Sequence, residues 1–346
     1  MQSRERVQRA VAFQSVDKPA LECDVNPVAI YEHGEKIREL FQTIEGDFGP
    51  ISTGAFEMPG PADFDEQGNY LAYKQDDWGI TWVHRIFGIQ GHPHKRPLDD
   101  WANLADYKLP PIERLTPESE AFHHLKTYFD DRKSQGFYAK AGFFGLLERA
   151  YALRQFEDVL ADLAAGDEDF LELTDRMTAR YIIESENLVM AGADGVQIGD
   201  DFGAQDTMLI SPNQFREVYK PRYRDILAPA KAAGKQVFCH SCGQITPILQ
   251  DLKDIGVDAI WPQIALYDLR DFAARCRDIG LAVAIHPDRS GLMTHGTPDE
   301  VYRRMYEYAE AFHPENGGSW FYLEIDNGFP YENIEAMVRA VREMRT

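Results

Sequence analysis

The sequence predicts a single domain over residues 1–346, built as a distorted (β/α)8 TIM barrel with an N-terminal extension and an irregular, lid-like segment. Three observations lead there. After residue 115, short apolar runs alternate with amphipathic stretches, the rhythm of βα units in a parallel sheet. With two earlier runs there are about eight strands, the number that closes a barrel. The residues just past those strands are almost all polar or able to bind a metal, as they must be if strand ends converge on one mouth.

Taken in order, residues 3 to 13 read as a polar helix, and Val16 to Val25 as a turn leading into a strand near 20–25. Helical periodicity returns over 28 to 44, and a second strand is expected near 48–53. From about 48 to 112 the pattern is irregular, rich in Gly, Pro and aromatics, with Asp76-Asp77-Trp78-Gly79-Ile80-Thr81-Trp82 and the histidines His84, His92 and His94. A long irregular segment in a compact protein is usually functional. Residues 76–100 are therefore expected to cover the mouth, with roughly 1–115 forming the extension and first strands. The three histidines read as part of a surface excursion rather than as ligands, because Pro93 separates two of them and no helix fixes their spacing.

Further strands are expected near 137–142, 194–199, 235–240, 258–262, 281–286 and 319–325, with helices between them. Two helix starts are marked sharply. Ser211-Pro212-Asn213-Gln214 and Thr297-Pro298-Asp299-Glu300 each combine an N-cap residue, a proline at the first helical position and a capping-box partner at the third.

Composition removes several classes of function. No apolar run reaches the roughly 18 residues of a membrane span, and the start, Met1-Gln2-Ser3-Arg4-Glu5-Arg6, has no apolar signal core. A cytoplasmic location is expected. The net charge of −21 makes nucleic acid and anionic membranes poor partners. Four cysteines (Cys23, Cys239, Cys242, Cys276) are too few for a disulfide framework at this size, so thiol or thiolate chemistry is the better use.

The chemistry centres on Cys239-His240-Ser241-Cys242-Gly243. A His-x-Cys pair on an extended segment points both side chains the same way, and two such ligands can share a zinc ion that needs one or two more. Cys239 faces the opposite way and reads as core, as does Cys276, which falls at helical core spacing with Leu269, Phe272 and Ala273. The other strand ends supply Asp200 and Asp201, Pro262 and Gln263, His286 and Asp288, and Glu324 and Asp326. Asp200 and Asp201 are the candidates for substrate or proton handling.

These residues carry a resemblance. Gly192-Ala193-Asp194, Asp200-Asp201-Phe202-Gly203-Ala204-Gln205, Ser211-Pro212, Phe215-Arg216, Lys220-Pro221, His240-Ser241-Cys242-Gly243, Gly256-Val257-Asp258 and Gly296-Thr297-Pro298-Asp299-Glu300-Val301 together resemble the uroporphyrinogen decarboxylase superfamily. Its zinc-dependent, corrinoid-linked methyltransferase branch is the nearer match. Arg4 to Val7 with Asp17-Lys18-Pro19, and Pro330-Tyr331-Glu332-Asn333-Ile334, extend the likeness over nearly the whole chain. The fold the resemblance implies is a distorted (β/α)8 barrel, in agreement with the strand count.

The resemblance also sorts the functions. The arginine-rich N-terminal motif of true decarboxylases is missing here. The methyltransferase branch binds zinc through a His-x-Cys pair, matched by His240 and Cys242, and a distant cysteine near the last strand. Nothing after Cys276 is a cysteine. The corresponding stretch, Tyr322 to Gly328, offers Glu324 and Asp326, so a carboxylate is expected to replace the third thiolate. Such a centre is harder and more Lewis-acidic, suited to an oxygen or nitrogen atom.

The expected activity is demethylation of a small O- or N-methyl compound, with the methyl group passed to a corrinoid on a separate protein, since the chain has no Asp-x-His-x-x-Gly motif to hold one. Asp200 and Asp201 are its expected catalytic residues, and Gln205, Gln263, His286 and Asp288 its substrate contacts. A homodimer is compatible with this reading. The rival classes are a metal-free decarboxylase, a zinc hydrolase or lyase on the same scaffold, and a non-catalytic binding protein.

Overall fold

The computed structural model describes residues 1–54 and 56–346. Ten strands form among the described residues: β1 (Leu21–Val25), β2 (Ala72–Gln75), β3 (Thr81–His84), β4 (His92–Lys95), β5 (Lys140–Phe144), β6 (Gly195–Gly199), β7 (Gln236–Ser241), β8 (Ala259–Pro262), β9 (Ala282–Ile285) and β10 (Ser319–Ile325). Seven of them make one parallel sheet in the order β1-β10-β9-β8-β7-β6-β5, and β2-β3-β4 make a separate antiparallel sheet. The large sheet curls into an open, distorted barrel with helices outside.

The strand expected at 48–53 does not form among the described residues. Pro50 lacks the N–H a ladder needs, and Phe48 instead packs inside the barrel with Tyr138, Phe238 and Trp320. The edge strands β1 and β5 therefore stay unpaired with each other. Lys140 on β5 crosses the gap to Glu22 on β1 at 2.6 Å. Its ammonium also lies over the rings of Phe48 and Phe238.

Two apolar clusters follow from strand alternation. One fills the layer between strands and helices and includes Val196, Ile198, Cys239, Ile260, Val283, Ile285, Phe321 and Leu323. The other fills the barrel itself, with Phe238, Ala259, Ala282, Ala284, Trp320 and Tyr322, and is closed from below by Val7, Ala10 and Val11 of the helix Ser3–Val11. The same parity, continued to the strand ends, sends His240, Trp261, His286 and Glu324 into the mouth. Cys239 and Cys276 are buried in the outer layer, as expected.

Both capping boxes form: Ser211 with Gln214, and Thr297 with Glu300. The helical stretch at 28–44 divides at Gly34 into Pro27–His33 and Glu35–Phe41. The segment read as irregular contains the small antiparallel sheet. Its first hairpin turns at Asp76, whose carboxylate accepts from the N–H groups of Trp78 and Ile80 and from the Trp82 indole. Arg149, on the helix Leu147–Leu153 after β5, reaches Asp76 at 3.5 Å and stacks on Trp78. This fastens the excursion beside the mouth.

Candidate metal centre

β6 and β7 are neighbours, with Gly199 opposite His240 in the register. The loops that follow them run against each other. Gly203 N–H donates to the Cys242 carbonyl at 3.2 Å, and Gln244 N–H to that of Ala204 at 2.8 Å. This backbone approach requires Gly243: its φ is +74°, and a Cβ there would stand 2.1 Å from the Gly203 carbonyl carbon. Gln263, at the end of β8, accepts from Gly243 N–H at 2.9 Å. The loop after His-x-Cys is thus pinned from both sides.

This brings three ligand atoms together. His240 Nε2 lies 3.5 Å from Cys242 Sγ and 3.4 Å from Asp201 Oδ1, and all three donors fall within 4.8 Å of one another. Around a tetrahedral zinc with bonds of about 2.0–2.3 Å, N and S donors lie roughly 3.6 Å apart, and N and O donors roughly 3.3 Å. The donor set therefore fits zinc in kind and in its two spacings from His240. The other nitrogen of the ring, Nδ1, lies 2.9 Å from the Trp261 carbonyl, which turns Nε2 inward. The Trp261 ring packs on the imidazole at 4.0 Å between centroids.

The two adjacent aspartates part company. Asp201 continues the inward face of β6 and joins the trio. Burial opposes its charge, but hydrogen bonding to His240 and the Cys242 N–H outweighs this and holds its carboxyl below the usual range. Asp200 faces outward, is almost wholly buried, and accepts from the N–H groups of Leu146, Leu147 and Glu148 and from the Tyr223 hydroxyl. It caps the helix Leu147–Leu153, and burial pushes its carboxyl up to about 6 despite those bonds. Its expected catalytic place is filled by hydrogen bonds that build the wall of the mouth.

Glu324 and Asp326, read from the sequence as metal ligands, stand outside the close trio. Glu324 is 3.3 Å from His286 and 2.8 Å from Arg289, and Asp326 is 3.2 Å from Arg289. The reason is strand order: β10 is three places from β7, about 14 Å along the sheet, whereas β6 is next to it. Burial opposes the charge of Glu324, yet its bond to His286 and the field of Arg289 keep it below the ordinary glutamate value. Burial pushes the imidazole of His286 down.

Gln205, Gln263, His286 and Asp288 do come together, around a cavity of about 130 Å³. Within it Asp288 is committed to capping, accepting from the N–H groups of Ser290, Gly291 and Leu292. The histidines of the excursion join no group of metal-binding side chains among the described residues: His84 bonds to the Ile89 carbonyl and His94 packs on Tyr73.

Glu148 was not singled out by its sequence. It lines a cavity of about 470 Å³ that it shares with Phe143, whose ring lies 6.1 Å from that of His240, and it accepts from the Tyr151 hydroxyl at 2.7 Å. Burial and then the charges of Asp200 and Asp201 push its carboxyl up to about 7. Cys242 behaves alike: burial and the Asp201 carboxylate push its thiol up, so a cation is what would make it a thiolate.

Comparison with known proteins follows this geometry. Residues 92–344 match the family described as Uroporphyrinogen decarboxylase (URO-D). The chain belongs to that family. Among solved structures, this uroporphyrinogen decarboxylase family member is similar over the whole of both chains to a methyltransferase from Methanosarcina mazei, at 16% identity and a TM-score of 0.61. A B12-independent methionine synthase from Shewanella sp. W3-18-1, in complex with selenomethionine, aligns over 67% of each chain at 12% identity and a TM-score of 0.41. A dihydropteroate synthase from Xanthomonas albilineans aligns over 57% of this chain and 65% of its own, at 15% identity and a TM-score of 0.35. No curated protein sequence matches. Among the described residues, no helix is long and apolar enough to cross a membrane.

Proposed function

We propose that this family member is a zinc-dependent methyltransferase. It takes a methyl group from the oxygen or nitrogen of a small molecule and passes it to a corrinoid carried by a separate protein. The observation that carries this reading is the trio Asp201, His240 and Cys242, in which the two spacings from His240 match those between donors on a tetrahedral zinc. The full-length fold likeness to a methyltransferase agrees with it.

Asp201, His240 and Cys242 would hold the zinc, which would supply Lewis acidity to the substrate heteroatom. The remaining work falls to the chain. The Trp261 carbonyl and ring orient His240, and Gln263 holds the loop of Cys242 and Gly243. As the bond from methyl carbon to heteroatom breaks, the heteroatom keeps the electron pair and takes a proton from Glu148. The methyl carbon accepts a pair from the reduced cobalt of the partner's corrinoid. Glu148 suits the role because burial pushes its carboxyl up and it lines the same cavity as Phe143, whose ring lies 6.1 Å from that of His240.

The test is to mix the zinc-loaded chain, reduced free cobalamin and each of a set of methyl ethers and methylamines. Donor-dependent loss of the reduced-cobalt absorbance, abolished by a chelator, is expected. No zinc-dependent transfer from any donor, or equal transfer after chelation, contradicts the proposal.

A further inference from the structure

Where β1 and β5 leave the barrel wall open, a cavity of about 420 Å³ reaches from Glu22, Tyr322 and Glu324 on the inner face of the sheet to Tyr128 and Arg132 on the helix Glu120–Ser134 outside it. Lys140 stands in its wall. The side chain is 17% exposed, and its ammonium lies 2.6 Å from Glu22 and over the rings of Phe48 and Phe238. Glu22 is its one hydrogen-bond partner among the described residues, so two of its three N–H groups face rings and cavity.

As a bolt across the seam this pair is weak, because burying two charges costs about as much as their attraction recovers. As a source of a nucleophile it is well arranged. One proton moved along the 2.6 Å contact turns the ion pair into a neutral amine and a neutral acid, and burial already pushes the Glu22 carboxyl up. The Trp320 indole holds the other Glu22 oxygen at 3.1 Å, which fixes the carboxyl against the amine. A neutral lysine largely shielded from water is the group that attacks carbonyl carbon.

Arg132 supplies the second element. It donates to the Phe48 carbonyl at 3.1 Å and stacks on Tyr128, yet it makes no ion pair among the described residues. Gly49 leaves room for it, since a Cβ there would stand 2.0 Å from its Nη1. The remaining N–H groups of the guanidinium are free to hold a carboxylate.

We propose that Lys140 forms an imine with a small 2-oxo acid whose carboxylate is held by Arg132. The site is separate from the zinc trio and goes beyond methyl transfer. The Lys140 ammonium passes one proton to Glu22, and the amine nitrogen adds its electron pair to the carbonyl carbon. A second proton moves from that nitrogen to the former carbonyl oxygen. Glu22 then returns its proton to the hydroxyl, the carbon–oxygen bond breaks, and water leaves. The product is a protonated imine paired with the Glu22 carboxylate, and no oxidant or reductant is consumed.

The test is to incubate the full chain with cyanoborohydride and either glyoxylate or acetaldehyde, the latter as the probe without a carboxylate, and to locate the reduced adducts by peptide mass spectrometry. Glyoxylate is expected to label Lys140 ahead of every other lysine. Arg132→Leu should slow glyoxylate labelling of Lys140 roughly ten- to a hundredfold, the worth of a hydrogen bond to a charged group, and leave the acetaldehyde rate within a fewfold. Lys140→Arg keeps the ion pair across the seam, so thermal unfolding should be unchanged while no residue takes over the fast labelling. Lys140 labelled no faster than the exposed lysines, or glyoxylate labelling undiminished in Arg132→Leu, overturns the proposal.

Discussion

His240 Nδ1 lies 2.9 Å from the carbonyl oxygen of Trp261. A carbonyl can only accept, so Nδ1 carries a hydrogen, and Nε2, which faces Cys242 and Asp201, is the nitrogen that can give a lone pair to a cation. The imidazole is thereby set in a ligating orientation by the backbone of a neighbouring strand, before any ion is bound.

Cys242 has no comparable preparation. Without a cation its thiol is pushed up by burial and by Asp201, so metal uptake must expel its proton. Zinc binding near pH 7 should release about one proton per chain. Titrations in two buffers of different ionisation enthalpy measure this, and binding with no buffer dependence would contradict it.

Asp200 is bound by three backbone N–H groups and a tyrosine hydroxyl, all buried. Asp200→Asn replaces one acceptor oxygen with a donor facing those hydrogens, and should cost about 2–3 kcal/mol of stability. Urea unfolding reads the loss, and the folded variant should keep its zinc. Unchanged stability with lost activity would return Asp200 to a catalytic role.

Glu148→Gln keeps the shape of the cavity and removes the transferable proton. Methyl transfer should fall by roughly 10²- to 10⁴-fold, with zinc content unaltered. Activity within a fewfold of the wild type would take the proton role away from Glu148.

Far from the mouth, Asp17 is held below the ordinary aspartate range, chiefly by its hydrogen bonds from Arg6, with the terminal ammonium adding to them. A depressed carboxylate contributes stability above its unfolded value and loses it as the pH falls. Asp17→Asn should therefore be less stable than the wild type at pH 7, with the gap closing below about pH 4. The side chain is 39% exposed, so solvent screening keeps the gap small. A gap that stayed constant down to pH 2 would contradict the assignment.

Much of this was legible in the residues. The capping boxes at Ser211 and Thr297, six of the later strands, the inward pair His240 and Cys242, and the buried Cys239 and Cys276 follow from local chemistry and from periods of 2 and 3.6. The roles of Asp200 and Asp201 were also within reach. Val196 and Ile198 mark the outer face of β6, which puts Asp200 outside and Asp201 inside. Two things were hidden. That Asp201, rather than Glu324 or Asp326, stands next to the pair depends on strand order, which local patterning does not carry. Glu148 becomes an acid near neutrality only through burial and two distant aspartates, so nothing in its own neighbourhood of sequence announces it.

The most direct test is the zinc affinity of the wild type beside His240→Ala, Cys242→Ala, Asp201→Ala and Glu324→Gln, by competition with a chromogenic chelator. One zinc per chain is predicted for the wild type. Losses on the order of 100-fold or more are predicted for the first three variants, beyond what support of a ligand costs, and little change for Glu324→Gln. A wild type that takes up no stoichiometric zinc, or Asp201→Ala binding as tightly as the wild type while Glu324→Gln does not, would contradict the account.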